Sequence, residues 1–411
     1  MPSKSWRYEL LLVSIVCAGN GLMSFDQATA WFLMPFIQPA LGLDNTQIGM
    51  LSASYWGVFA ISSYGISAFA EARGKLKIAF IIVMILLSVC STFSGFATSF
   101  AGLLMTRLLI GFIEGPFLPV GQSIIALETP ESRRGTYLGI VGTGGNVLGL
   151  FVAPMLLVAL SNLYGWRSGF FVVLVPGLIC TALAAFFVRE PARREVAPPD
   201  GSAASAGGGL RETLGFRNIW LCIVICCLFV GGAGLGGAFL PLFYVNVRHF
   251  TSQEMSVLMA LVGLASVIFA LVIPIISDFT GRKAAMVVAN ALGVLCPLAA
   301  IYYKDSMIVL GILTFVGSIV LGTVSLVMGT IPSESVPARS MSAAMGLIVA
   351  LGVLGGGVAG PAIGGWAADH WGLTAPLLLQ AGCAAASALC STALRETAPG
   401  KIRTRDTRLT A

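Results

Sequence analysis

Arg107 and Glu114 stand seven residues apart in RLLIGFIEGPFLP (107–119), within an almost unbroken apolar run of a chain that is only 10% charged. Seven helical residues at 100° each return to nearly the same face, placing the two groups ~10.5 Å apart along the axis. That is too far for the ion pair formed by neighbours one helical turn apart. A third ionisable residue, Asp26, falls in another apolar run. Each of these charges would cost ~2.5 kcal/mol or more facing lipid at a bilayer centre, so they should face one another or a watery space. A guanidinium presents a planar fork of donors that matches a carboxylate. A carboxyl group in a partly dry site takes up a proton more readily, and a bound anion beside it adds to that tendency. Together these residues have the parts to capture a small organic anion at Arg107 and to move protons on Asp26 and Glu114. The plainer alternative is an ion network that only pins two helices together.

The elements that must position them follow from composition. The chain has 411 residues, 57% hydrophobic, whereas a water-soluble protein is about a quarter charged. The apolar residues come in blocks of about 20, the length that carries a helix across ~30 Å of hydrocarbon. These runs are continuous rather than alternating, so the expected class is all-α integral membrane, with helical spans and no barrel strands. Twelve spans are expected, at 9–37, 46–70, 76–98, 101–127, 135–162, 168–188, 218–246, 254–277, 284–303, 306–331, 341–368 and 373–394. The first run continues past Phe32 without a small-residue cleavage site and reads as a retained helix rather than a signal peptide.

Basic residues set the orientation. Of the 24 Lys and Arg, only Arg167, Arg248 and Lys304 fall in one set of loops, and Arg107 lies within the membrane. The remainder lie on the side that holds both termini, which the positive-inside rule makes cytoplasmic. The net charge of +6 is thus a topology signal, and no nucleic-acid partner is expected. The lipid bilayer is the expected surrounding, the inner (plasma) membrane the expected location, and a monomer the expected state. All nine cysteines fall in spans, without metal-ligand or disulfide spacing. No phosphate-binding loop or nucleophile motif appears, so an enzyme is not expected, and a proton gradient rather than a cofactor or ATP must supply the energy.

The chain divides into an N-terminal bundle (1–188), a Pro/Gly/Ala-rich cytoplasmic linker (189–217), a C-terminal bundle (218–395) and a tail (396–411). A shift of 207 superimposes the bundles. It carries Glu71, Gly74 and Lys75 onto Asp278, Gly281 and Arg282, and Gly139, Gly145, Gly149, Pro154 and Gly165 onto Gly346, Gly352, Gly356, Pro361 and Gly372. The charges are not repeated, since Asp26, Arg107 and Glu114 land on Ala233, Thr314 and Leu321. Small residues spaced by about four in GIVGTGGNVLG and GGGVAGPAIGG predict close helix packing in lipid.

Parallel six-helix repeats resemble the architecture of the major facilitator superfamily. D-x-x-G-R-K at 278–283 is similar to that superfamily's loop motif between helices 2 and 3 and between 8 and 9. The resemblance implies a cytoplasmic latch at Asp278, Gly281 and Arg282, with Glu71 and Gly74 as its N-half counterpart. In the N half Glu71 replaces aspartate, Ala72 an arginine and Ser67 a glycine, which implies a weaker latch there. RLLIGFIEGPFLP, DQATAWFLMP (26–35), LGLDNTQIGML, GWRSGFF (165–171) and PSE (332–334) resemble the anion:cation symporter family. That likeness implies proton residues at Asp26 and Glu114, a substrate residue at Arg107 and a polar cavity residue at Asn146. Gln27 stands where the family has a second arginine, which favours a monocarboxylate, aromatic or hydroxylated. Trp31, Tyr55 and Trp56 read either as cavity lining or as packing. The implied activity is proton-coupled uptake of a small organic anion by alternating access. The alternatives are a proton-driven exporter or an anion exchanger of small metabolites or drugs.

Overall fold

The computed structural model describes residues 6–191, 213–337, 340–398 and 401, so most of the expected linker and tail lie outside the described residues. Among the described residues twelve long helices are present, labelled here in chain order. In the first half α1 is Trp6–Phe32, α2 Asn45–Arg73, α3 Leu76–Gly95, α4 Phe100–Glu128, α5 Ser132–Tyr164 and α6 Ser168–Phe187. In the second α7 is Arg217–Asn246, α8 Ser252–Thr280, α9 Arg282–Tyr302, α10 Met307–Ser335, α11 Ala343–Trp371 and α12 Thr374–Thr392. Among the described residues there is no β-strand, and eleven of these helices are long and apolar enough to cross a membrane. The twelfth, α2, spans 29 residues but carries five serines, opens with Asn45, Thr46 and Gln47 and closes with Glu71 and Arg73.

Local sequence fixes the helix ends. Asp44 starts α2 with a reciprocal capping box: its side chain accepts the Gln47 N–H at 2.6 Å, and the Gln47 side chain accepts the Asp44 N–H at 3.2 Å. Ser99 starts α4 by accepting the Gly102 N–H at 3.2 Å. Gly74 and Gly281 turn the chain from α2 to α3 and from α8 to α9 at φ of 63° and 103°, a region that favours glycine. Gly165 and Gly372 also take positive φ, 82° and 80°, so the sequence repeat is written into the backbone. It recurs inside the helices too, where α5 widens to π-helix over Val147–Val152 and α11 over Val353–Val358.

Contacts divide the chain into two compact units, Met1–Arg194 with Pro241–Gly263, and Glu195–Leu240 with Leu264–Ala411. In the first, α2 packs along α4, α1 along α5, and α3 along α6. Its core includes Leu12, Val16, Phe80, Met84, Phe117 and Ile124. In the second, α9 packs along α12 over a core that includes Ile219, Cys226, Met286, Leu326 and Ile348. Small residues set the closest approaches, since a Cβ on Gly149 would lie 2.6 Å from the Ser24 backbone oxygen, and one on Gly360 2.7 Å from Gly231 Cα. Large apolar side chains such as Phe186, Phe279, Ile308 and Leu389 point outward instead of covering a core, as a chain solvated by lipid allows.

Candidate functional site

The unusual composition of α4 explains how its charges are placed. Gly111 and Gly115 leave α4 without side chains on the face turned to α2. A Cβ on Gly111 would lie 2.6 Å from the Tyr55 backbone oxygen, and one on Gly115 2.5 Å from the Phe59 backbone oxygen. The Ser62 hydroxyl reaches the Gly111 carbonyl at 3.3 Å across the same seam. The regular helix ends at Glu114 and resumes at Phe117, with Pro116 unable to donate a backbone hydrogen bond. The outcome is that Tyr55 of α2 is brought directly against Glu114.

All three intramembrane charges face the protein interior, with Asp26 and Glu114 at 0% and Arg107 at 3% exposure. Arg107 Nη1 lies 3.7 Å from Asp26 Oδ2, Arg107 Nη2 donates to Ser94 Oγ at 2.8 Å, and the guanidinium lies over the Phe170 ring at 5.5 Å. Ser91 Oγ donates to Asp26 Oδ1. Glu114 Oε2 accepts from the Tyr55 hydroxyl and from Gln27 Nε2, the latter at 3.3 Å, and Gln27 Nε2 also donates to the Tyr55 oxygen. No ion pair joins Arg107 to Glu114 among the described residues. Within this cluster three buried polar atoms have no hydrogen-bond partner: Asp26 Oδ2, Arg107 Nε and Glu114 Oε1.

Asp26, Gln27, Arg107 and Glu114 are therefore brought together. Asn146 is not: it ends the α-helical part of α5, half-buried, and makes no hydrogen bond to this cluster among the described residues. Tyr55, which the sequence left open between cavity lining and packing, joins the cluster, and so do Ser91 and Ser94, which the sequence reading did not single out. A signal for the serines does exist, because Ser88, Ser91 and Ser94 recur every three residues along one face of a largely apolar helix.

The loop joining α2 to α3 and the loop joining α8 to α9 differ between the halves. Asp278 pairs with Arg282 at 2.5 Å, and Arg282 also binds Glu334 at 3.0 Å and donates to Ser277 Oγ at 2.6 Å. Glu396 accepts the backbone N–H groups of Arg282 at 2.8 Å and Lys283 at 3.2 Å, and Thr397 donates to Glu334 at 2.6 Å. In the N half Glu71 is exposed and makes no ion pair among the described residues. There, Glu190 accepts the Lys77 N–H at 2.9 Å and Lys77 Nζ donates to the Ala185 carbonyl at 2.8 Å. The Arg-Glu pairs at 189–190 and 395–396 end α6 and α12 at nearly the repeat spacing, a signal that could have located Glu190 and Glu396.

Among curated proteins, the chain is 24% identical over 265 residues to a hexuronate transporter of Bacillus subtilis, covering 63% of this chain and 62% of that one. It is 23% identical over 271 residues to a probable sulfoacetate transporter of Cupriavidus necator, covering 63% and 62%. It is 24% identical over 327 residues to the multidrug resistance protein MdtG of a Rahnella species, covering 76% and 75%. The match thus spans less than two thirds of the first two relatives. Two crystal structures share the fold. A bacterial homologue of the human lysosomal transporter Spinster has a TM-score of 0.75 at 18% identity, covering 95% of each chain. A D-xylose–proton symporter has a TM-score of 0.76 at 16% identity, covering 96% of this chain and 99% of that one. The sequence model of the Major Facilitator Superfamily matches residues 16–359, and the chain belongs to that superfamily of membrane transporters.

Proposed function

We propose that this transporter carries a small organic anion together with protons, with Arg107 holding the substrate carboxylate and Asp26 and Glu114 holding the protons. The observation that carries the reading is the loose state of the buried ion pair. Arg107 and Asp26 are 3.7 Å apart, and Arg107 Nε and Asp26 Oδ2 lack hydrogen-bond partners. An unpartnered buried guanidinium donor is costly unless something else is meant to occupy it. Counting charges gives the coupling. The cluster has two acids and one base, so a single proton leaves it neutral, and an arriving carboxylate is neutralised by a second. Uncompensated charge in a low-dielectric site is expensive, so anion and proton are favoured to load together. Gln27 adds a neutral amide, which suits a monocarboxylate with a hydroxyl or ring oxygen better than a dianion. The hexuronate and sulfoacetate transporters among the relatives support an anionic substrate class. In this reading the chain sits in the inner membrane with cytoplasmic termini, works as a monomer by alternating access, and uses the loops at Asp278, Gly281 and Arg282, and at Glu71 and Gly74, as its cytoplasmic latch.

A second reading, proton-driven export, is favoured by the longer match to the multidrug resistance protein. Proteoliposomes with imposed pH gradients separate the two. Labelled glucuronate, sulfoacetate and benzoate serve as probes, and symport predicts accumulation of at least one when the outside is acidic. Accumulation only when the inside is acidic would replace symport by exchange. Accumulation of none of the three under either gradient would remove the carboxylate reading.

A further inference from the structure

Both members of the loose ion pair are held from one side by the same helix. Ser91 and Ser94 of α3 are fully buried, and residues three apart share a helical face. A serine within an apolar helix commonly returns its hydroxyl to its own backbone one turn earlier, as Ser88 does to the Met84 carbonyl at 2.8 Å. Ser91 and Ser94 turn outward instead: Ser91 donates to Asp26 Oδ1, and Ser94 accepts from Arg107 Nη2 at 2.8 Å. The Phe170 carbonyl lies 3.3 Å from Ser91 Oγ as an alternative acceptor for its one proton.

A guanidinium and a carboxylate free to meet close to about 2.8 Å, usually through two parallel hydrogen bonds. Here they stop at 3.7 Å, with one donor and one acceptor left over. We infer that Ser91 and Ser94 are positioning residues that hold Asp26 and Arg107 apart, and so keep the guanidinium open to a carboxylate. The inference rests on the anion-carrier reading above and adds to it a cause for the gap. Without the Ser91 donor, Asp26 swings onto Arg107. Without the Ser94 acceptor, Arg107 turns onto Asp26. In either case the internal carboxylate competes with the substrate for the same fork.

The test is a pair of alanine variants in proteoliposomes, with the same three labelled acids. For whichever acid the wild type accumulates, Ser91→Ala and Ser94→Ala should each raise KM about tenfold while the maximal rate stays within about twofold. Ser94→Thr keeps the hydroxyl and should restore KM. Equilibrium binding in an Asp26→Asn background supplies the control: with no carboxylate to collapse onto Arg107, Ser94→Ala should weaken binding no further. Unchanged KM in both alanine variants overturns the inference, as does an undiminished effect of Ser94→Ala in the Asp26→Asn background. A fall in thermal stability with KM unchanged marks the serines as structural only and overturns it equally. A wild type that accumulates none of the three acids overturns the carboxylate reading itself, and this inference with it.

Discussion

Replacing Gly111 by alanine places a methyl group where α2 passes closest to α4. An ideal Cβ there lies 2.6 Å from the Tyr55 carbonyl oxygen and 3.3 Å from Tyr55 Cα, whereas ordinary contact begins at 3.4 Å. The obstacle is backbone and cannot swing aside, so α2 must retreat by ~0.8 Å, and forced overpacking of this kind costs ~1–3 kcal/mol. The retreat draws the Tyr55 hydroxyl from Glu114, whose Oε2 keeps the Gln27 amide as a second donor, so this loss bears on uptake rather than adding to the instability. Gly102 in the same helix is the control, because its nearest neighbours are Ser99 Oγ at 3.5 Å and Ala97 Cβ at 3.9 Å. Alanine there should be neutral or stabilising by up to ~1 kcal/mol. Thermal unfolding in detergent and uptake in proteoliposomes read both variants. Gly111→Ala should unfold at a clearly lower temperature and lose uptake, while Gly102→Ala should keep both. Equal unfolding temperatures with normal uptake in Gly111→Ala would refute the argument that glycines in α4 exist to seat Tyr55 against Glu114.

Tyr55→Phe keeps the ring and removes one donor to Glu114, so uptake should fall at least tenfold with little change in unfolding temperature; wild-type uptake would place Tyr55 outside the site. At the C-half loop, the Asp278 side chain is 59% exposed and that of Glu334 22%, both against an Arg282 that is nearly buried. Asp278→Ala should therefore cost only ~0–1 kcal/mol, and Glu334→Ala ~1–3 kcal/mol, an order that thermal unfolding of the two variants checks. Gly281→Ala must adopt a φ of 103° with its Cβ 2.5 Å from a Glu396 oxygen, so it should destabilise more than Gly42→Ala, where φ is 63° and nothing lies within 4 Å.

Much of this was legible because lipid imposes simple rules. Runs such as 76–98 and 218–246 had to become helices, since nothing else satisfies the backbone in hydrocarbon, and α3 and α7 begin within a residue of those runs. The shift of 207 was equally readable, as glycines at 74 and 281 and at 165 and 372 serve four turns where the chain takes positive φ. That Arg107 and Glu114 share a face without pairing followed from helical geometry alone. What stayed hidden is which groups meet them from other helices. Tyr55 was one of several aromatic residues compatible with packing, and only the register of α2 against α4 aims its hydroxyl at Glu114. The recurrence of Ser88, Ser91 and Ser94 marks a polar face on α3, but not the partners, which only α1 and α4 supply as Asp26 and Arg107. Asn146 is the reverse case, a polar residue whose neighbourhood depends on the π-helical turn that follows it, and that turn has no simple sequence rule. The loops after α2 and α8 share an acidic residue and a glycine in sequence, yet Glu334 and Glu396 converge on Arg282 while Glu71 stays exposed.

The coupling claim is tested most directly by Glu114→Gln in proteoliposomes, with one labelled acid followed in two regimes. The amide fills the same space but cannot release a proton at physiological pH. Accumulation driven by an acidic exterior should therefore be lost, while exchange of labelled for unlabelled acid across equal pH continues. Accumulation at the wild-type level in Glu114→Gln would contradict the account.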